Sequence, residues 1–259
     1  MNSNHLPTEL AGLAVTAPET LLPNVLVGAG IVDGYVLRTS VLGDLVVAFG
    51  LKGVTAVELA GDPGGFVTTY QQRTGRRAVA VDRVPPAIAK HLDAAIVAGR
   101  PGRLPVDLER LTEFQASVLR AAATIPRGEV RPYSWVAKEI GRPGAVRAVG
   151  SALASNPVPV IIPCQRVVRS DGTFGDYSLG DPSNKRILLA FEGLDVGTFE
   201  SQAASGVRFT GSHTTGIFCH PTCRHARRAG AAHRVEFGSE HEARAAGYRP
   251  CKVCRPVAA

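Results

Sequence analysis

Residues 156–168 read NPVPVIIPCQRVV. The pattern predicts a short apolar strand that delivers one cysteine, Cys164, between Pro163 and the polar pair Gln165–Arg166. An inert buried thiol keeps apolar neighbours, whereas a reactive one works as the thiolate in a polar, partly accessible setting. The placement asks whether Cys164 reacts, and what takes its proton when the next residue is an amide.

Working outward, the chain has 259 residues, enough for two or three domains, and a hydrophobic content of 45%, ordinary for a globular protein. No apolar run reaches the roughly 18 residues a membrane span needs. The start, MNSNHLPTEL, lacks the basic and then apolar pattern of a secretory signal. A cytoplasmic protein without membrane attachment is expected. A formal charge of +7 favours polyanionic partners such as nucleic acid.

The five cysteines divide four and one. Cys219 and Cys223 form C-x3-C, Cys251 and Cys254 form C-x2-C, and Cys164 stands apart. Paired thiols at both ends of a short loop-rich segment suit one tetrahedral thiolate site, and zinc is the ion that four sulfurs favour. So small a piece has little core of its own, and metal binding supplies on the order of 10 kcal/mol towards its folding. With four sulfurs filling the shell, His220, His225, His233 and His241 are expected to be solvated or to face phosphate. Around them Arg208, Arg224, Arg227, Arg228, Arg234, Arg244, Arg249, Lys252 and Arg255 face only Glu236, Glu240 and Glu242, a surface suited to a phosphate backbone.

Along the chain, residues 1–24 read as a flexible lead-in. Residues 25–105 read as an N-terminal α/β domain: glycine-punctuated strands up to Ala60, a helix at Pro86–Ala98, and a Gly/Pro-rich boundary, GRPGRLPVD. Residues 106–195 change character. LTEFQASVLRAAATI is a helix capped by Thr112, SWVAKEIG a short helix, RPG a break, and GAVRAVGSALASN another helix. Helix, tight turn and helix is a pattern that reads nucleic acid. A glycine-bearing loop, RSDGTFGDYSLGD, and a helix, NKRILLAFEG, follow Cys164. Residues 196–206 read as a linker and 207–259 as the metal-binding domain. VLVGAGIVDG superficially suggests a dinucleotide loop, but Gly28, Gly30 and Gly34 do not fit G-x-G-x-x-G and no long helix follows.

With these residues in view, NPVPVIIPCQRVV resembles the active-site signature NP…IPCHRV of the O6-alkylguanine-DNA alkyltransferases. The likeness extends over FQASVLRAAATIPRGEVRPYSWVA, RAVGSALASNP and GDYSLG…KRILLAFEG. TTGIFCHPTC and GYRPCKVCRP resemble the zinc domain of the adaptive-response protein Ada, here placed after the alkyltransferase portion. The resemblance implies an α/β protein with a small ribonuclease-H-like N-terminal domain, a winged-helix-like catalytic domain and a four-cysteine zinc domain. It implies single-turnover transfer of an alkyl group from O6-alkylguanine in double-stranded DNA to a cysteine, with the nucleotide flipped out of the duplex, by a monomer with one zinc ion and no organic cofactor.

By position the resemblance makes Cys164 the nucleophile, Arg147 the residue filling the vacated stack, and Tyr133 the one rotating the target phosphate. Asn156 braces the turn before the cysteine, and Glu192 ends the proton relay. Tyr177 and Ser178 wall the pocket, and Ala148 and Gly150 permit close approach to the groove. Arg166 is expected to add positive charge near the lesion.

The family's histidine after the cysteine is Gln165 here. An amide cannot take a proton at neutral pH; it can only hold a water. A free thiol of pKa about 8.5 is still a few per cent thiolate at pH 7, so slow transfer survives the loss of a base worth about 10²–10⁴ in rate. Two rival readings follow: a non-catalytic binder of alkylated guanine, and a damage sensor in which zinc-bound Cys219 accepts methyl from phosphotriesters.

Overall fold

The computed structural model describes residues 21–177 and 179–256. A helix, α1 (Leu21–Gly28), occupies the end of the expected lead-in, whose earlier residues lie outside the described ones. Three strands follow, β1 (Asp33–Ser40), β2 (Gly43–Gly50) and β3 (Gly53–Leu59), antiparallel to one another. Strand β2 is apolar without a break from Leu45 to Phe49 because both its faces are covered. Leu45, Val47 and Phe49 enter the main core, whereas Val46 and Ala48 pack against Phe66 and Tyr70. Those rings come from α2 (Pro63–Thr74), a helix absent from the sequence reading, which Asp62 caps by accepting from the Gly65 amide. Strand β4 (Ala78–Ala80) pairs parallel to β1 and completes a sheet of order β3-β2-β1-β4.

The expected helix at Pro86–Ala98, here α3, is present with those bounds. The Gly/Pro-rich boundary after it is strapped to the sheet, with Val54 N donating to Pro105 O and Asp107 N to Val54 O. A side chain at Gly53 would collide with the Pro105 carbonyl at 2.4 Å, so the close approach requires glycine there.

Helix α4 (Glu113–Ala123) opens on a capping box between Thr112 and Gln115. Strand β5 (Arg131–Pro132) leads straight into α5 (Tyr133–Glu139), and α6 (Val146–Ala154) follows after a turn. Val118, Leu119, Trp135, Val136, Val149 and Leu153 from these helices share one core with the sheet.

The expected strand before Cys164 is not a strand. Pro157, Pro159 and Pro163 have no amide hydrogen to give a ladder, and Val160 sits at φ 69°. The segment coils on itself through Ile162 N to Val158 O and Cys164 N to Ile162 O, both 2.9 Å, and ends in a single 3₁₀ turn at Cys164–Arg166. Strand β6 (Val167–Val168) then pairs parallel to β5. Helix α7 (Ser183–Phe191) ends at its C-cap, Glu192.

The expected linker is also corrected, to a helix. In α8 (Val196–Ala204) Asp195 caps the start, and Phe199 packs with Phe174, Leu189 and Leu194. Buried aromatic area and a cap outweigh a Gly/Ser/Ala-rich composition. The last domain carries strands β7 (Phe209–Ser212), β8 (Ile217–Cys219), β9 (Arg234–Phe237) and β10 (Arg249–Pro250) in the order β10-β8-β7-β9, with short helices α9 (Arg224–Arg228) and α10 (Glu240–Ala245). Among the described residues no helix is long and apolar enough to cross a membrane.

Candidate active site and metal centre

Asn156 fixes the coil ahead of Cys164. Its Nδ2 donates to Ile162 O at 2.9 Å, and its Oδ1 accepts from Val158 N at 3.1 Å. A buried amide satisfied on both ends locks a turn that three prolines leave short of donors. Cys164, 5% exposed, then looks into a cavity of about 450 Å³. Tyr133, Gly150, Leu153, Arg169, Asp176 and Tyr177 share its lining. Arg147 and Ala148 stand exposed on α6, one turn before Gly150 or less. Ser178 lies outside the described residues.

Behind the thiol is a buried polar cluster. Gln165 and Arg166 are both 0% exposed. Gln165 Nε2 donates to Glu192 Oε1 at 2.9 Å, and Arg166 Nε donates to Glu192 Oε2 at 2.7 Å. The other Arg166 nitrogens donate to Ile125 O at 2.7 Å and Ala98 O at 2.9 Å. Arg166, expected near the lesion, therefore has its donors committed inside the protein and does not line the cavity. Its work is to balance the Glu192 carboxylate, which also accepts weakly from Gly128 N at 3.3 Å. Both carboxylate oxygens are thus engaged by donors inside the protein.

Tyr177 joins the thiol to this cluster. Its hydroxyl donates to Gln165 Oε1 at 3.3 Å and is within hydrogen-bond reach of Cys164. Burial, then the proximity of Cys164 and Glu192, raises its pKa well above the usual phenol value, so it serves as a donor and not as a base. Burial likewise raises that of Tyr133. Lys185, invisible to sequence reasoning as a site residue, buries its ammonium and donates to Val167 O at 2.6 Å and Phe174 O at 2.5 Å. Burial is the main cause of a pKa lowered to about 8, with the Cys164 charge acting the other way. Only the mixture of a strong helix face and one lysine on its buried side (α7) hinted at it.

At the other end, Cys219, Cys223, Cys251 and Cys254 are buried with their sulfurs all within 4.8 Å of one another and free of disulfides. A tetrahedron of thiolates 2.3 Å from a zinc ion has sulfurs about 3.8 Å apart, so the set fits the metal with small adjustments. It is a site for one zinc ion. His225, His233 and His241 are exposed as expected. His220 is not: it packs against the Phe209 ring, and burial lowers its pKa to about 3.

Residues 113–194 match the family described as 6-O-methylguanine DNA methyltransferase, DNA binding domain, and residues 196–257 match the metal binding domain of Ada. The bifunctional transcriptional activator/DNA repair enzyme Ada of Escherichia coli is 36% identical over 167 residues, 62% of this chain and 46% of that protein. The mouse methylated-DNA–protein-cysteine methyltransferase is 49% identical over 85 residues, 33% of this chain and 39% of that one. A crystal structure of Mycobacterium tuberculosis OGT in complex with DNA shares 33% identity, covering 62% of this chain and 93% of that one, with a TM-score of 0.47. The chain thus spans less than half the length of these two curated relatives. The two matches define the class: a DNA-binding segment of the methylguanine methyltransferase type, which holds the cavity and Cys164, followed by a thiolate metal module. Residues 113–194 thus carry the DNA-binding domain of the 6-O-methylguanine DNA methyltransferases, and residues 196–257 carry the metal binding domain of Ada.

Proposed function

We propose that this protein repairs double-stranded DNA by moving an alkyl group from O6 of guanine onto Cys164, once per molecule. The observation that carries the reading is a single thiol at the foot of a cavity large enough for a purine, on a turn held by Asn156. The flipped base enters the cavity against Tyr177, and the resemblance makes Ser178 part of the same wall. The sulfur attacks the alkyl carbon, the carbon–oxygen bond breaks, and the sulfur keeps the group. The purine regains its carbonyl and takes a proton at N1, while the thiol proton passes to solvent.

In this reading Tyr133 turns the target phosphate outward and Arg147 fills the gap in the stack. Ala148 and Gly150 let α6 lie close in the groove. Gln165, held by Glu192 and facing the Tyr177 hydroxyl, positions polar groups near the sulfur without taking its proton. Sheet order β3-β2-β1-β4 with β4 parallel to β1 supports a ribonuclease-H-like N-terminal domain over residues 25–105. The helix pair α5–α6 beside the β5–β6 ladder supports a winged-helix-like domain over residues 106–195. Residues 207–259 form the metal domain, and the protein works as a cytoplasmic monomer.

The test is peptide mapping after incubation with an O6-methylguanine duplex. The mass of one methylene gained on the Cys164 peptide supports transfer. Retained lesion binding without that gain supports the second reading, a non-catalytic lesion binder, which the buried Gln165–Glu192–Arg166 cluster favours because it offers no free base. A gain on Cys219 instead supports a phosphotriester sensor. Cys219 lines its own cavity of about 570 Å³ together with Arg228, Arg249 and Lys252.

A further inference from the structure

The metal domain grips one short segment of the alkyltransferase domain, residues 129–139. Thr222 Oγ1 accepts from Val130 N at 2.9 Å and donates to Val130 O at 3.3 Å, closing both ends of one residue. Arg224 N donates to Glu129 Oε1 at 3.0 Å. The Trp135 indole N–H donates to the carbonyl of Cys254 at 2.9 Å. Arg255 pairs with Glu139 and lies 6.0 Å from the Trp135 ring. Every one of these groups sits on a metal ligand or next to one: Thr222 and Arg224 flank Cys223, and Arg255 follows Cys254.

The gripped segment also holds a buried ion pair, Arg131 with Glu129, and the Arg131 guanidinium lies 5.9 Å from the Trp135 ring. On its other side the segment runs through β5 into Tyr133, which lines the cavity of Cys164.

We propose that the loaded cysteine cluster holds residues 129–139 in place, so that the two domains are one cooperative unit and metal occupancy is felt at Tyr133 in the pocket. Without the metal, the loops bearing Thr222 and Cys254 lose the bonds that fix them. The apolar core there, Phe209, Phe218, Phe237 and Ala243, is too small to replace those bonds. Val130 N and the Trp135 indole are then left buried without partners, which the segment avoids by opening.

Trp135 is the chain's single tryptophan, so its emission reads the interface directly. Zinc-loaded full-length protein is treated with a strong chelator under reducing conditions, and zinc release is followed with a metal indicator alongside tryptophan emission. Emission shifts to the red at the rate of zinc release, because a ring now 3% exposed becomes wet. Thr222→Val, which keeps all four cysteines, releases zinc several-fold faster; so does Trp135→Phe, read by the indicator alone. Unchanged emission after complete zinc loss overturns the proposal, as do wild-type release rates in both variants. Transfer to Cys164 by the zinc-free protein falls several-fold, and undiminished transfer overturns the link to the pocket. The emission comparison needs no DNA, so it stands whether or not the loaded protein transfers alkyl groups.

Discussion

Gln165 Nε2 donates to Glu192 Oε1 at 2.9 Å across a separation of 27 residues, in a layer closed to water. The amide thus occupies the place between thiol and carboxylate that the resemblance gives to histidine, and it completes the hydrogen bonds without supplying a basic nitrogen. Arg166 pairs with the other carboxylate oxygen at 2.7 Å. The cluster orders the turn, and neither the Gln165 amide nor the Arg166 guanidinium is a base for the thiol proton.

Gln165→His restores a base beside the sulfur. Single-turnover transfer from an O6-methylguanine duplex at pH 7 is expected to speed up tenfold or more, within the roughly 10²–10⁴ a positioned base contributes. Equal rates mean another group already handles the proton.

Tyr177→Phe removes the hydroxyl shared by Cys164 and Gln165 while keeping the ring that walls the cavity. Losing one such bond, about 1 kcal/mol, slows labelling of Cys164 by iodoacetamide about fivefold. Lesion-duplex affinity stays within a factor of two or so, because the hydroxyl bonds inside the protein and the ring that walls the cavity is kept. Unaltered labelling shows that the hydroxyl does not assist the thiolate.

Gly99 ends α3 at φ 58°, and a side chain there would meet Arg166 Nη2 at 2.6 Å and Glu192 Oε1 at 3.0 Å. Gly99→Ala both strains the backbone and pushes apart the buried ion pair. We expect a loss of roughly 2–4 kcal/mol in urea unfolding and slower transfer, from a position far from Cys164 in sequence. A stable, fully active variant would show that the ion pair is dispensable.

Lys185 sets a pH dependence. Burial lowers its native pKa to about 8, below the 10.5 of a free lysine. Below pH 8 it is charged in both states, and burial of that charge costs stability. Between about 8 and 10.5 the unfolded chain binds the proton more than the native one, so this group's contribution to stability rises with pH, by up to on the order of 3 kcal/mol. The unfolding free energy of wild type relative to Lys185→Met is therefore larger at pH 10 than at pH 8. A flat difference contradicts the assignment.

The sequence made several elements plain for local reasons. Pro86–Ala98 carries helical apolar spacing between a proline start and a glycine stop, and Thr112–Gln115 spells its own capping box. The C-x3-C and C-x2-C pairs are local patterns, and their four sulfurs do meet in one cluster. What stayed hidden depends on contacts distant in sequence. The apolar run before Cys164 looks extended until the prolines and the positive φ of Val160 are combined with the Asn156 brace. Arg166 was expected near the lesion, yet Glu192, Ile125 and Ala98 take its donors inside the protein. Helix α8 was masked by small residues because its one anchor, Phe199, meets Phe174 only in the folded chain. His220 was taken for a surface imidazole for the same reason.

The central claim, that the sulfur at position 164 receives the alkyl group, is tested most directly by mass spectrometry of the whole peptide map. The protein is incubated with a duplex carrying one O6-methylguanine and compared with a Cys164→Ser control. The account predicts one added methylene on the Cys164 peptide, an equal amount of restored guanine, and neither in the control. A Cys164 peptide still bare after prolonged incubation with excess lesion at alkaline pH, in protein that demonstrably binds the duplex, would contradict it.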